Sequence, residues 1–507
     1  MRYSTTRAAC LVGVTGHPVT VEVHIGSGAS LFVLTGLPDR TLDEAKVRVR
    51  AAFEHTELHF PDSYTVVNLL PAGIPKTGAG CDLAIAVGVL AASQQIPRNT
   101  LADMVFLGEL GLNGAVRPIP GVLPCLLAAV DAGATTAIVP AANAAEASLV
   151  PGLSVIAVSG LTEVLAHLRG DTTIVPTTPR PPPPPPAQPD MAEIAGQPTA
   201  RRALEIAAAG GHHIFMLGPP GSGKTMLAER LPSLLPPLSD RQALEVTALR
   251  SVTGLLPEYG GLIRHPTFSA PHHSATMPAM VGGGSNNIRP GAISEAHHGV
   301  LFLDEAPEFR REVLDALRQP LESHEVIVCR SRGTARFPAR LQLVLAANPC
   351  PCGRSTECQC SPATRRRYLT RLSGPLLDRV DIRLELASVE SAQLLSTRDR
   401  GESSAEIAQR VVAARDAACD RWSGVDQPWS TNQEVPGPYL RSGPWRLPAA
   451  VSGPADWMVE TGALTARGYD RVLRLAWTLC DLAGRSTPAV EDVAEATGLR
   501  VGHQLPG

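Results

Sequence analysis

Residues 213–230 read HIFMLGPPGSGKTMLAER. An apolar run of strand type leads into a glycine-rich loop, and a helical pattern follows at once. Gly218, Gly223, Lys224 and Thr225 fit the spacing GxxxxGK[ST], which works only as a strand, a tight loop and a helix in that order. The loop residues Gly218, Pro219, Pro220, Gly221, Ser222 and Gly223 let successive backbone N–H groups converge on one point. The helix N-terminus adds positive potential there. Such a loop binds the phosphates of a nucleotide and commits this part of the chain to a parallel sheet wrapped by helices.

Composition sharpens the reading at Lys224. Of 45 basic residues only Lys46, Lys76 and Lys224 are lysine; the rest are arginine. A compact ammonium on a flexible stem can enter a loop wound around the β- and γ-phosphates, whereas a forked, planar guanidinium is too wide. The nucleotide is therefore expected to be a triphosphate, with Thr225 giving a hydroxyl ligand to Mg²⁺.

About eighty residues on comes GVLFLDEAPEF (299–309). Val300 to Leu303 read as a buried strand that ends in two carboxylates. Asp304 would hold Mg²⁺ through water, and Glu305 would orient and polarise an attacking water. The following run, LQLVLAAN (341–348), ends in Asn348. That residue either senses the γ-phosphate or is an ordinary strand-end turn residue.

Six consecutive prolines (181–186) mark the clearest boundary. They cannot join a sheet or a helix interior, and form a stiff spacer of about 3 Å per residue. The expected organisation is an α/β N-terminal unit (1–172), a proline-rich linker (173–190), an α/β nucleotide-binding core (191–388) and a helical C-terminal unit (389–507). In the core, REVLDALRQPLE (311–322) reads as one helix, and EVIVCRSRGTARFP (325–338) as a hairpin carrying Arg330, Arg332 and Arg336 near its tip. The hairpin is either a solvated basic turn or a surface for a phosphate backbone. RRRY (365–368) adds a second basic cluster. Residues 425–456, rich in Pro, Gly and Trp, read as mostly loop.

Two CxC pairs, Cys350/Cys352 and Cys358/Cys360, lie within eleven residues. They can fold back to set four thiolates around one tetrahedral Zn²⁺, or stay as reduced cysteines in a loop. The histidine pairs 272–273 and 297–298 lack ligand spacing, and structural or pore-loop roles are expected for them. The longest apolar stretch, LAIAVGVLAA (83–92), is about half the length of a membrane span, so no membrane partner is expected. No export signal follows the first arginines. Ten cysteines in 507 residues are no disulfide scaffold, and the cytoplasm is the default compartment. The net charge of −3 excludes a globally basic nucleic-acid coat but not a local basic track.

The motifs together resemble an AAA+ ATPase of the magnesium-chelatase-like branch, most closely the ComM/YifB family. The likeness rests on PHHSATMPAMVGGG (271–284), RPGAISEAHHGVLFLDEAPEF (289–309), LQLVLAANPCPCG (341–353), LSGPLLDRVDI (372–382) and LTARGYDRVLRLAWTLCDLAG (464–484). It implies an AAA+ core with a helical lid and a homo-oligomeric, hexameric ring with ATP at subunit interfaces. By motif position, Arg379 is the arginine finger and Arg467 the second sensor. From spacing alone, Arg379 would pair with Asp378 or Asp381, and Arg467 would be a solvated helix residue.

The first 172 residues resemble the Lon-protease-like domain of this family. Gly80 stands where the fold's catalytic serine would be and Cys125 where its lysine would be. Cys81 lies one residue off with no evident base, so proteolysis is expected to be lost. The resemblance implies an ATP-driven DNA motor, a helicase or branch-migration activity in transformation or recombination, with the Arg330/Arg332/Arg336 hairpin lining the ring's pore. The alternative is a chelatase-type motor that remodels a protein partner for metal insertion.

Overall fold

The computed structural model describes residues 2–36, 43–74, 76, 78–98, 100–178, 188–256, 261–284, 288–330, 333–354, 358–387, 401–424 and 429–502. The proline run and Arg332 lie outside the described residues.

The N-terminal part is built on a seven-stranded mixed sheet. Its order is Leu31–Thr35, Tyr64–Leu70, Thr15–Ile25, Tyr3–Val12, Met104–Phe106, Thr136–Pro140 and Ser154–Val158. Tyr3–Val12 and Thr15–Ile25 form an antiparallel hairpin, in register from Tyr3 opposite His24 to Val12 opposite Thr15. The first of these strands begins at the third residue. The helix Asp82–Ala92 is buried along its whole length, which is why its sequence carries no amphipathic period.

The second sheet has five strands, all parallel, in the order Phe268–Ser269, Gly299–Leu303, Leu341–Ala347, Ile214–Leu217 and Ile382–Glu385. The first strand in the chain thus sits between the fourth and the fifth. Side chains alternate between two cores, as the two-residue period of a strand requires. Ile214, Met216, Val300, Phe302, Val344 and Ala346 face one core. Phe215, Leu301, Leu303, Leu343, Leu345 and Ala347 face the other. The first core is shared with the helices Pro198–Gly210, Lys224–Leu234, Ser404–Trp422 and Ala466–Leu482, so the C-terminal helices pack on the same side of the sheet as the helix that follows the glycine loop.

Two expectations need correction. Residues 311–322 are not one helix: Arg311–Ala316 and Pro320–Ser323 are separate, because proline cannot continue the hydrogen-bond ladder. Residues 429–456 are not mostly loop. They hold a helical turn at Asn432–Glu434, a helix at Gly437–Leu440 and the start of the helix Ala449–Glu460. Trp445 packs 4.8 Å from the fully buried Trp422, and Trp429 and Tyr439 pack edge-on against the same ring. Pro436, Pro438, Pro444 and Pro448, which hide this segment's periodicity, stand at helix caps or first turns, where a missing N–H costs nothing, and only Pro454 falls inside a helix.

Candidate functional site

The glycine loop joins the strand Ile214–Leu217 to the helix Lys224–Leu234. Gly221 and Gly223 have φ of +76° and +86°, and nothing lies within 4 Å of a Cβ placed on either. Backbone conformation therefore requires glycine at these positions, not lack of space. Gly218 differs: an added Cβ would meet the Cβ of Leu386 at 2.9 Å and the Ser222 hydroxyl at 2.7 Å.

Lys224 is buried. Its Nζ donates to the carbonyls of Gly218 at 2.7 Å and Pro219 at 2.8 Å, and to Asn348 Oδ1 at 3.2 Å. Burial lowers its pKa, while Asp304 and Glu305 pull it back up. Thr225 Oγ1 donates to Asp304 Oδ2 at 2.9 Å, and the backbone N–H of Glu305 donates to Asp304 Oδ1 at 2.9 Å. Loop, lysine, hydroxyl, carboxylate and amide meet at the carboxyl ends of parallel strands, where open α/β sheets bind ligands.

These residues suit a magnesium nucleotide. The loop's left-handed glycines and the buried ammonium suit polyphosphate, and Thr225 and Asp304 bring two hard oxygen donors together as Mg²⁺ requires.

Glu305 is exposed, with a φ of +49°, a strained value for a non-glycine residue. Its Oε2 is 3.3 Å from His273 Nδ1. Sequence reasoning set the 272–273 pair aside from the chemistry. The signal for it is positional: His273 follows the strand Phe268–Ser269, which pairs in parallel with the strand that carries the carboxylates.

Arg379 is not at this loop. It is buried, donates to the Pro375 carbonyl at 2.6 Å and pairs with Glu322. The spacing-based pairing with Asp378 or Asp381 is thus corrected. Asp381 is fully buried; it pairs with Arg471 and accepts the His213 N–H at 2.9 Å. Asp378 gives its carbonyl to Arg471 at 2.6 Å, and its carboxylate is 3.7 Å from Arg500. Arg467 is exposed in the first turn of Ala466–Leu482.

The hairpin forms from Glu325–Arg330 and Gly333–Pro338. Arg330 occupies its last rung, opposite Gly333, whereas Arg336 lies three rungs further in, opposite Ile327. Arg336 is therefore not near the tip, and it pairs with Glu325 at 2.9 Å. The N-terminal hairpin turn reaches this element: a Cβ on Gly13 would lie 3.2 Å from the Ala335 Cβ.

The histidine pair 297–298 also needs correction. Both Nε2 atoms lie on Glu245 Oε2, at 3.1 and 3.0 Å, so ligand-like convergence exists. His297 Nδ1, however, accepts the Arg340 N–H at 3.0 Å, which leaves its proton on the nitrogen that faces Glu245. That tautomer is a hydrogen-bond donor, not a metal ligand.

In the N-terminal part, Gly80 carries no nucleophile, and Cys125 is buried with its thiol pushed well up by desolvation. Cys81 does have a lysine nearby, contrary to the sequence reading: Lys76 is fully buried, donates to the Pro71 carbonyl and feels the Cys10 and Cys81 sulfurs. Burial nevertheless drives the Cys81 thiol far above its usual range, which keeps it inert.

Among the described residues, no helix is long and apolar enough to cross a membrane. Comparison with known proteins gives three family matches: magnesium chelatase, subunit ChlI, over 190–394; subunit ChlI of Mg-chelatase over 21–143; and the subunit ChlI C-terminal family over 401–500. The competence protein ComM of Haemophilus influenzae is 40% identical over 96% of both chains. Protein YifB of Escherichia coli is 40% identical over 98% of this chain and 96% of its own. Lon protease 2 of Bacillus subtilis is 37% identical over 21% of this chain and 19% of its own.

Proposed function

The chain belongs to the ComM/YifB family of magnesium-chelatase-like AAA+ ATPases, with Lon-protease-like similarity in its N-terminal part, and from that premise we propose that it is an ATP hydrolase whose assembled ring moves DNA. The observation that carries the ATPase reading is the meeting of Lys224, Thr225, Asp304 and Asn348 at one loop mouth. We take 1–172 as the Lon-like domain, 173–190 as linker, 191–388 as the ATPase core and 389–507 as the helical lid.

Lys224 exchanges the carbonyls of Gly218 and Pro219 for the β- and γ-phosphate oxygens of ATP. Thr225 and Asp304 would hold Mg²⁺, which would supply charge neutralisation of the phosphates. Glu305 leaves His273 and orients the attacking water. Asn348, freed from Lys224, reports the γ-phosphate. Arg379 leaves Glu322 and acts on the nucleotide of a neighbouring subunit, a role of about 10³–10⁵ in rate for arginine fingers. Arg467 is the second sensor.

For the substrate, the ComM relative is named a competence protein, and Arg330 stands at the exposed end of a hairpin that also carries Arg332 and Arg336. A hexamer would gather these guanidinium groups around a pore suited to a phosphate backbone. The protein would work in the cytoplasm, where its free thiols persist.

The neutralisation of Arg336 by Glu325 and the chelatase-subunit name of the matching families favour a second reading, a motor that remodels a protein partner for metal insertion. ATP turnover measured alone and with single-stranded, duplex and four-way-junction DNA separates the two. A salt-sensitive stimulation lost in the Arg330/Arg332/Arg336→Ala variant supports the DNA motor. DNA without effect on binding or turnover removes it.

A further inference from the structure

The four cysteines form a compact cluster next to the nucleotide site. Cys350 Sγ lies 3.2 Å from Cys352 Sγ and 3.2 Å from Cys358 Sγ, and Cys352 and Cys358 are 3.5 Å apart. Cys360 completes the group, with all four sulfurs within 4.8 Å of one another. A ZnS₄ tetrahedron with Zn–S bonds near 2.3 Å has edges of about 3.8 Å. A disulfide would hold two sulfurs near 2.05 Å. The sulfurs are too far apart for a disulfide and, at 3.2–3.5 Å, somewhat closer than the edges of that tetrahedron, but all four converge on one point, as scattered loop thiols do not.

The surroundings suit thiolates. The Arg365 guanidinium donates to Cys358 Sγ at 3.4 Å, and the Arg354 N–H lies 3.5 Å from Cys352 Sγ. A divalent ion with four thiolates has a net formal charge of about −2, and donors of this kind are what stabilises such a centre. Four protein ligands leave no open position, so the ion would be structural.

We propose that Cys350, Cys352, Cys358 and Cys360 bind one Zn²⁺ as a closed four-thiolate site that fastens the segment after Leu341–Ala347 onto the phosphate loop. Cys350 is buried two residues beyond Asn348, which accepts from Lys224. A Cβ placed on Gly353 would lie 3.7 Å from Pro220 Cγ, so the cluster's own turn lies beside the glycine loop. The basic helix Pro362–Leu369 starts two residues after Cys360 and carries Arg365. One ion thus ties together the end of the sensor strand, the phosphate loop and a basic helix. The coupling to the loop rests on the nucleotide-site reading; the metal assignment does not.

The test uses the untagged full-length chain, purified without chelators, with elemental analysis for zinc and iron and native mass spectrometry. About one zinc per chain, falling to near zero in the Cys358→Ser/Cys360→Ser variant, supports the site. Less than about a tenth of a zinc per chain, stoichiometric iron in its place, or a mass lower by two hydrogens per cysteine pair overturns it. Stripping zinc from the wild-type chain with a mercurial thiol reagent and restoring zinc after reduction tests the coupling. ATP affinity should fall about ten-fold and then recover, the low end of the loss in affinity or activity seen when contacts supporting a metal centre are removed. Unchanged affinity in the stripped protein overturns the fastening and leaves the ATPase reading intact.

Discussion

The Lys224 ammonium lies 3.2 Å from Asn348 Oδ1, across 124 residues of sequence. This contact ties the phosphate loop to the end of the neighbouring strand before any nucleotide arrives. The lysine is held by neutral carbonyl oxygens that phosphate oxygens, being charged acceptors, outbid.

Replacing Lys224 by Ala should therefore abolish tight ATP binding, with turnover falling by about 10²-fold or more, the scale of removing one preorganised donor. Lys224→Arg should fail too, since a guanidinium cannot fit the ring of carbonyls. A fluorescent ATP analogue that binds either variant with wild-type affinity refutes the loop assignment.

Glu305→Gln should bind ATP normally and hydrolyse it about 10²- to 10⁴-fold more slowly, the range for a lost general base. His273→Ala should move turnover the other way. The His273–Glu305 pair is half-exposed, so releasing it should raise basal turnover by no more than about five-fold. Phosphate-release assays read both; basal turnover lowered by His273→Ala would mean that the histidine assists Glu305 and does not restrain it.

If Arg379 serves a neighbour's nucleotide, Arg379→Ala and Lys224→Ala chains, each inactive alone, should partly restore turnover when mixed before assembly. No recovery at any ratio would leave Arg379 as the local partner of Glu322 that the isolated chain displays.

Acid should destabilise the fold between about pH 6.5 and pH 4. Burial lowers His212, His213 and His297 to about 4 from an ordinary value of 6.5. Across that window the unfolded chain binds protons that the folded chain does not, so stability falls with pH and the loss is complete once the folded value is passed. Asp82, raised to about 6 by desolvation, works in the opposite direction together with Glu146 and Asp470, which are raised by the same cause, while His265 and His324, lowered by burial, add to the loss. A urea midpoint at pH 5 equal to that at pH 7 would refute the neutral, buried histidines. His213 makes the mechanism concrete: its Nδ1 accepts the Leu343 N–H at 3.1 Å, a bond that protonation removes.

The chemistry-bearing stretches were legible because each is local. The glycine loop, the two carboxylates after Leu303 and the cysteine pairs are contiguous residues whose backbone conformations and short spacings carry the signal. The alternating strands of the core were legible for the same reason. The first strand, the helices after Val435 and the partner of Arg379 were not. Tyr3–Val12 alternates buried and exposed residues only over its first half, with Ala8, Ala9 and Cys10 all buried, and it pairs with a neighbour that the chain has yet to reach. The aromatic packing around Trp422 draws on residues from three separate helices and turns.

Sequence alone determined that a glycine-rich loop joins a strand to a helix, which lysine stands at its end and which acids follow the buried strand Gly299–Leu303, since backbone sterics and side-chain chemistry act over a few residues. Tertiary structure decided what those groups touch: Asn348 on Lys224, His273 on Glu305, Glu322 on Arg379, Arg471 on Asp381. These pairings follow from a sheet whose first strand inserts between its fourth and fifth, and strand order is set by the burial of two opposite faces at once, a property of the whole packed chain and of no segment by itself.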